Sequence, residues 1–329
     1  MAQIPPYIEL YESGELERRV ERLEARLEEC DICPRRCGAN RLKNEVGSCN
    51  AGKLVAVASV CAHLGEEPVL SGSRGSGTVF FGNCNMKCVY CQNHQISQDP
   101  DHQRSNQVSP SRLANRMLYL QNELNCHNIN LVSPSHYVPQ ILRAIFEAVP
   151  KGLRLPLIYN TNAYDELTTL TELDGIISIY LPDLKYADSN LAARLSDVPH
   201  YVPTARAAIK EMYQQVGELE LDEDDIAVSG LIIRHLILPN DLAGSEASVK
   251  WIASELSLSV PVSLMAQYTP RHRALEVPLL ARSINATEYR KVINLLDVMG
   301  MENGWLQDDS SQDYYLPDFN REDHPFERG

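Results

Sequence analysis

From Gly77 to about Gly300 the chain alternates short apolar runs with stretches of helical spacing, which restricts it to repeated strand–helix units around a parallel sheet or barrel. The apolar runs are Thr78–Phe81, Ile129–Ser133, Leu157–Asn160, Ile176–Leu181, Leu231–Leu238 and Val262–Ala266, and six is the number for a partial barrel. Helical patterns fall near 110–124, 136–148, 165–172, 203–216, 245–257 and 287–299, with Pro110 and Pro139 placed as first-turn residues. This rhythm divides the chain into an N-terminal segment (1–76), an α/β region (77–300) and an acidic tail (301–329).

Ahead of the α/β region, residues 15–29 place Leu16, Val20, Leu23 and Leu27 at 4-3-4 spacing among charges, which predicts an amphipathic packing helix. Cys30 to Gly52, dense in Cys, Pro, Gly and Asn, reads as loop, and LVAVASV at 54–60 reads as a short strand. SGSRGSG, residues 71–77, has no following GK[ST] and reads as a loop entering the first barrel strand, not a phosphate cradle. The acidic run Glu218–Asp225 reads as a solvated connection. In the tail, Trp305, Tyr314, Tyr315 and Phe319 suit either a disordered segment or an arm that docks through its aromatics.

With 30 Lys and Arg against 44 Asp and Glu, the net charge is −14, which argues against a nucleic-acid partner held by phosphate neutralisation. No apolar run approaches the roughly 20 residues a bilayer requires, and the first residues lack the apolar core of a secretory signal. The expectation is a cytoplasmic protein without a membrane partner. Nine cysteines in such a chain point to metal or redox chemistry ahead of disulfides.

Cys84, Cys88 and Cys91 form a CxxxCxxC run directly after the strand-like TVFFG. Three thiolates so spaced wrap one face of a cubane iron–sulfur cluster and leave one iron open. A zinc site completed by His94 at unusual spacing, or reduced structural thiols, are the alternatives.

This run, with an aromatic immediately before its third cysteine, resembles the signature of the radical S-adenosylmethionine superfamily. CPRRCGANR, NINLVSPSHYVPQ, YNTNAYD, YLPDLKY, IRHLILPND and LMAQYTPRH resemble its PflX-type branch, related to the pyruvate formate-lyase activating enzyme. The similarity runs from about Cys30 to about Gly300. It implies a partial (β/α)6 barrel with an N-terminal helix and Cys-rich segment, and a [4Fe-4S] cluster beyond the strands' C-terminal ends. The open iron would chelate S-adenosylmethionine (SAM), and an electron from the cluster would cleave the cofactor to a hydrogen-abstracting 5′-deoxyadenosyl radical. An electron donor such as flavodoxin or ferredoxin is implied as partner.

By the same resemblance, Asp183 and Lys185 match a DxK pair that holds SAM, with a surface salt bridge as the alternative. Arg234 matches an arginine of the corresponding strand, or supports the core from inside the barrel. Two departures stand out. Where many members carry GGE, this chain has Val132-Ser133-Pro134-Ser135, so the Ser133 and Ser135 hydroxyls are the substitutes. Gln92 follows Cys91 where the activating enzyme has His.

A second constellation, Cys30, Cys33, Cys37 and Cys49, fits either a closed zinc site or an auxiliary iron–sulfur cluster, and a redox pair of two of these thiols is a further option. Cys61 and Cys126 have no partner spacing and read as small buried apolar residues. His94, His136 and His235 fall near the barrel mouth by position and are read as hydrogen-bonded structure, with no catalytic residue assigned. The expected activity is radical hydrogen abstraction by an oxidoreductase that activates a glycyl radical enzyme as protein substrate. The alternatives are modification of a peptide or small molecule, and a non-enzymatic electron-transfer protein.

Overall fold

The computed structural model describes residues 4–307, 317–321 and 324–326. The N-terminal segment forms helices α1 (Tyr7–Glu12) and α2 (Glu15–Ala25), then the extended loop 30–52. Leu16, Val20 and Leu23 on α2 are fully buried, as their spacing predicts. After the loop come β1 (Val55–His63), β2 (Ser76–Phe81) and the short β3 (Gln107–Val108). Helix α3 (Pro110–Asn122) starts on Ser109, whose hydroxyl accepts from the Arg112 N–H, with Pro110 in its first turn.

The strand–helix alternation then proceeds through β4 (Ile129–Val132), α4 (Val138–Ala148), β5 (Leu157–Thr161), β6 (Ile179–Pro182), α5 (Ser189–Ser196) and α6 (Tyr201–Val216). It continues with β7 (Glu220–Leu221), β8 (Ala227–Leu231), β9 (Ile233–Leu236), α7 (Ser245–Glu255), β10 (Val262–Met265), α8 (Ala286–Met299) and β11 (Gly304–Leu306). Helix α8 opens on a capping box in which Asn285 and Glu288 exchange side-chain and backbone hydrogen bonds.

Among the described residues the strands form an eight-stranded sheet, β3-β1-β2-β4-β5-β6-β8-β7, and a three-stranded sheet, β11-β10-β9. From β2 through β8 every neighbouring pair is parallel, as are both pairs of the small sheet. The fold is mixed α/β with a mostly parallel sheet.

All six expected strands are present, the run Leu231–Leu238 as the shorter β9, and a further strand, β8, precedes it. Strand β8 reaches the run only at Leu231 and pairs with β6, whereas β9 pairs with β10 in the other sheet. A parallel bridge between Asp183 and Arg234 joins the two sheets at this point. A continuous apolar run does not record which neighbour each residue pairs with, so the switch is invisible in the pattern.

The segment before Gly77 is not separately packed. Tyr7, Leu16, Val20 and Ile32 belong to the same buried cluster as Leu131, Leu157 and Ile233. Glu24 of α2 accepts both arms of Arg143 of α4 at 2.9 and 2.6 Å. The acidic run is an exposed hairpin containing β7. Residue 319 packs its ring against Phe80, with centroids 5.2 Å apart, so this part of the tail docks; Tyr314 and Tyr315 lie outside the described residues. No described helix is long and apolar enough to cross a membrane.

Candidate functional site

Cys84–Cys91 leaves the C-terminal end of β2 as a loop without regular structure. Asn83 turns the chain out of the strand at φ +65°, a left-handed conformation that Asn tolerates. The loop is fastened to the end of α5 by Lys87 N–H to Ser196 carbonyl (3.0 Å) and Val89 N–H to Leu195 carbonyl (2.8 Å).

Each of its three sulfurs meets a polar partner. Cys84 Sγ accepts from Asn162 Nδ2 at 3.5 Å and from the Met86 N–H at 3.4 Å, and Cys88 Sγ accepts from the Ser196 hydroxyl at 3.0 Å. Cys91 Sγ lies 3.2 Å from Ser97 Oγ. Burial pushes the Cys88 thiol up to about 11 against the pull of the Lys185 ammonium, and burial likewise raises Cys84 and Cys91. The three thiols also raise one another, so they share one electrostatic neighbourhood.

They line a cavity of about 1440 Å³ whose wall draws on both sheets and includes Ser133, Asp183, Lys185 and Arg234. The resemblance therefore named positions that the fold gathers around one space. Lys185 Nζ donates to Asp183 Oδ2 at 2.6 Å, both side chains being mostly buried. Burial alone would lower the Lys185 ammonium, but Asp183 and the Cys88 and Cys91 thiols outweigh it and hold it above its ordinary value. The Tyr201 hydroxyl fixes this segment: it accepts from the Lys185 N–H at 2.9 Å and lies 2.8 Å from the Asp183 carbonyl and 3.0 Å from that of Asn162. Ser133 sits at φ +59° and donates its N–H to the Asn160 carbonyl at 2.9 Å. Ser135 is buried against Thr161, 3.1 Å away.

Arg234 is already engaged. Its guanidinium forks onto Glu67 at 2.8 and 2.6 Å and also reaches Glu66. Burial works against ionisation of Glu67, yet Arg234 holds its carboxyl below the usual carboxylate range.

The four N-terminal cysteines are also neighbours. Cys33 is raised by burial and by Cys49, Cys30 and Cys37, and Cys49 in turn feels Cys30 and Cys37. Cys30, Cys33 and Cys49 are buried while Cys37 is exposed. All nine cysteines are free thiols, and among the described residues no three His, Cys, Asp or Glu side chains converge tightly enough to hold a single metal ion. The two cysteine loops touch, because Arg35, between Cys33 and Cys37, donates Nε to the Asn85 carbonyl at 2.9 Å.

Of the remaining candidates, His136 and His235 are interior and hydrogen-bonded, to the Gly82 carbonyl and to the Leu184 carbonyl and Ser245 respectively. His94 is bonded to the Cys91 carbonyl and stacks on His272 at 5.0 Å. Cys126 is buried, and Cys61, also buried, contributes to the cavity wall. The sequence reading passed over Glu66, Glu67, Ser97 and Ser196, which belong to no motif. Asn162 was within its reach, since it lies in the YNTNAYD stretch.

No protein-family model matches the chain. It is 29% identical over 296 residues, 87% of its length and 80% of the relative's, to the uncharacterized protein MJ0674 of Methanocaldococcus jannaschii. Among solved structures it is similar to methylornithine synthase (PylB), with 15% identity and a TM-score of 0.43, over 66% of this chain and 60% of that one. It is also similar to native anSMEcpe with bound AdoMet, with 12% identity and a TM-score of 0.44, over 70% of this chain and 58% of that one.

Proposed function

We propose that this chain is a radical SAM enzyme in which Cys84, Cys88 and Cys91 hold a [4Fe-4S] cluster at the mouth of a partial (β/α)6 barrel. The observation that carries this reading is the convergence of three hydrogen-bonded thiols and the Asp183–Lys185 pair on one large cavity. The two sheets, bridged at Asp183 and Arg234, are read as portions of that one barrel. The donor set fits the cofactor, since metal-bound thiolates accept hydrogen bonds and these sulfurs are faced by Asn162, Ser196, Ser97 and a backbone N–H.

A cluster held by Cys84, Cys88 and Cys91 would supply the one-electron reduction of SAM on which radical hydrogen abstraction depends. The chain's own residues bind and orient. Lys185 offers a cation to the cofactor's carboxylate and Asp183 a carboxylate to its cationic groups, each prepositioned by the other at 2.6 Å. Ser133, which lines the same cavity, is assigned to the cofactor's amino group in place of the absent GGE motif. Arg234 is assigned to the wall, because its guanidinium is saturated by Glu66 and Glu67. The resemblance makes a glycyl radical enzyme the first protein substrate to assay, with flavodoxin or ferredoxin as reductant.

The test is anaerobic reconstitution with iron and sulfide, followed by SAM and dithionite. Release of 5′-deoxyadenosine is expected; a chain that takes up the cluster and never cleaves SAM refutes the assignment. The hydrogen bonds to sulfur give a finer prediction. Asn162→Ala removes a donor to Cys84 and is expected to shift the cluster potential negative by tens of millivolts, on the order of a single hydrogen bond to a charged group, as read by redox-poised electron paramagnetic resonance.

A further inference from the structure

Arg41 is 1% exposed, and among the described residues it has no carboxylate partner. Its Nε donates to the Gly52 carbonyl at 3.1 Å and its Nη1 to the His136 carbonyl at 2.7 Å, while its buried Nη2 has no hydrogen-bond partner. A guanidinium cannot shed its proton, so a buried one demands a counter-charge. Beside it lie the Tyr137 ring, 5.8 Å from the guanidinium carbon, and sulfur: Nη1 is 3.8 Å from Cys30 Sγ, and Cys49 is within its electrostatic reach.

We propose that Cys30, Cys33, Cys37 and Cys49 bind, as thiolates, a second metal centre whose net negative charge Arg41 neutralises. The four thiols give up their protons to solvent on binding, and either a zinc ion or a cubane cluster held by four thiolates remains anionic overall. The loop is built for such a ligand. It contains little regular structure, and Arg36, Gly38, Asn44 and Asn50 all take positive φ. Gly47 is packed so closely on Cys37 that a β-carbon there would stand 2.2 Å from Sγ.

The thiols do not meet at one point in this structure. Zinc, whose bonds of about 2.3 Å to sulfur set its ligands close together, must therefore draw the loop inward, whereas a cluster accepts them wider apart. Arg35 and Arg41 also tie this loop to the Cys84–Cys91 loop, through the Asn85 carbonyl and through His136, whose ring donates to the Gly82 carbonyl.

The experiment uses the full chain with Cys84, Cys88 and Cys91 all replaced by alanine, so its result is independent of the barrel cluster and of SAM cleavage. After anaerobic purification and reconstitution, elemental analysis is expected to find about four irons with sulfide, or about one zinc, per chain, the two arms distinguishing cluster from ion. Adding Cys33→Ala should abolish that metal, while adding Cys61→Ala should not. Arg41→Leu should release it to a chelator roughly 10–100-fold faster, with Arg41→Lys recovering much of the loss. A triple variant that is folded by circular dichroism yet carries no stoichiometric metal overturns the proposal, as does metal that survives Cys33→Ala.

Discussion

Cys88→Ala is expected to eliminate SAM cleavage, lowering 5′-deoxyadenosine release to background, a loss of at least ~10³-fold. A cubane held by three thiolates has no spare protein ligand, so removing one leaves two irons without protein anchorage. The Cys88 sulfur sits between the Ser196 hydroxyl at 3.0 Å and the field of Lys185. The fold should survive. Ser196 keeps its other partner, the Tyr186 hydroxyl at 2.6 Å, and the loop keeps its backbone bonds to the end of α5. Thermal unfolding near the wild-type temperature, together with lost visible absorption and lost cleavage, is the expected signature. Wild-type cleavage by Cys88→Ala would overturn the ligand assignment.

Arg234→Leu should destabilise the protein by about 3–5 kcal/mol at neutral pH. The substitution strands two buried carboxylates, Glu66 at 6% and Glu67 at 4% side-chain exposure, beside each other without their cation. The pH dependence separates this cause from lost packing. In the wild type, Arg234 holds the Glu67 carboxyl below its ordinary value. Its contribution is therefore complete above the unfolded carboxylate pKa of about 4.3 and is lost as pH falls through the lower folded value. In the variant, burial acts unopposed and favours the protonated acid, so the gap between the two proteins should narrow on acidification. Urea unfolding at about pH 7 and about pH 4.5 measures this. A gap under ~1 kcal/mol, or one that does not change with pH, would contradict the ion-pair account.

What the sequence revealed and what it hid have different physical roots. Helix α2 was legible because Leu16, Val20 and Leu23 repeat with the helical period, and the parallel strands because each is an apolar run between turn signals. The three cavity cysteines were legible because one short loop supplies them all. The groups that tune them were not, since Asn162 is 78 residues from Cys84, and Ser196 is 108 residues from Cys88. Arg234 is 167 residues from Glu67, a pairing that only the finished sheet creates. No local pattern marks a residue whose importance lies in a distant partner, and Arg234 was accordingly read as either a cofactor contact or a support of the core while its two glutamates went unnoticed.

The wall of the large cavity is completed late. Trp305 in β11, Gln307 just after it, and Phe326, whose ring stacks on His63 at 4.0 Å, all belong to it, yet they follow Cys84, Cys88 and Cys91 by more than two hundred residues. At typical translation rates that separation is roughly 10–40 s. During this interval Cys84, Cys88 and Cys91 have left the ribosome while one side of their chamber is still unmade. Order of synthesis thus makes the three thiols more accessible before β11 and residues 317–326 exist than after these complete the wall.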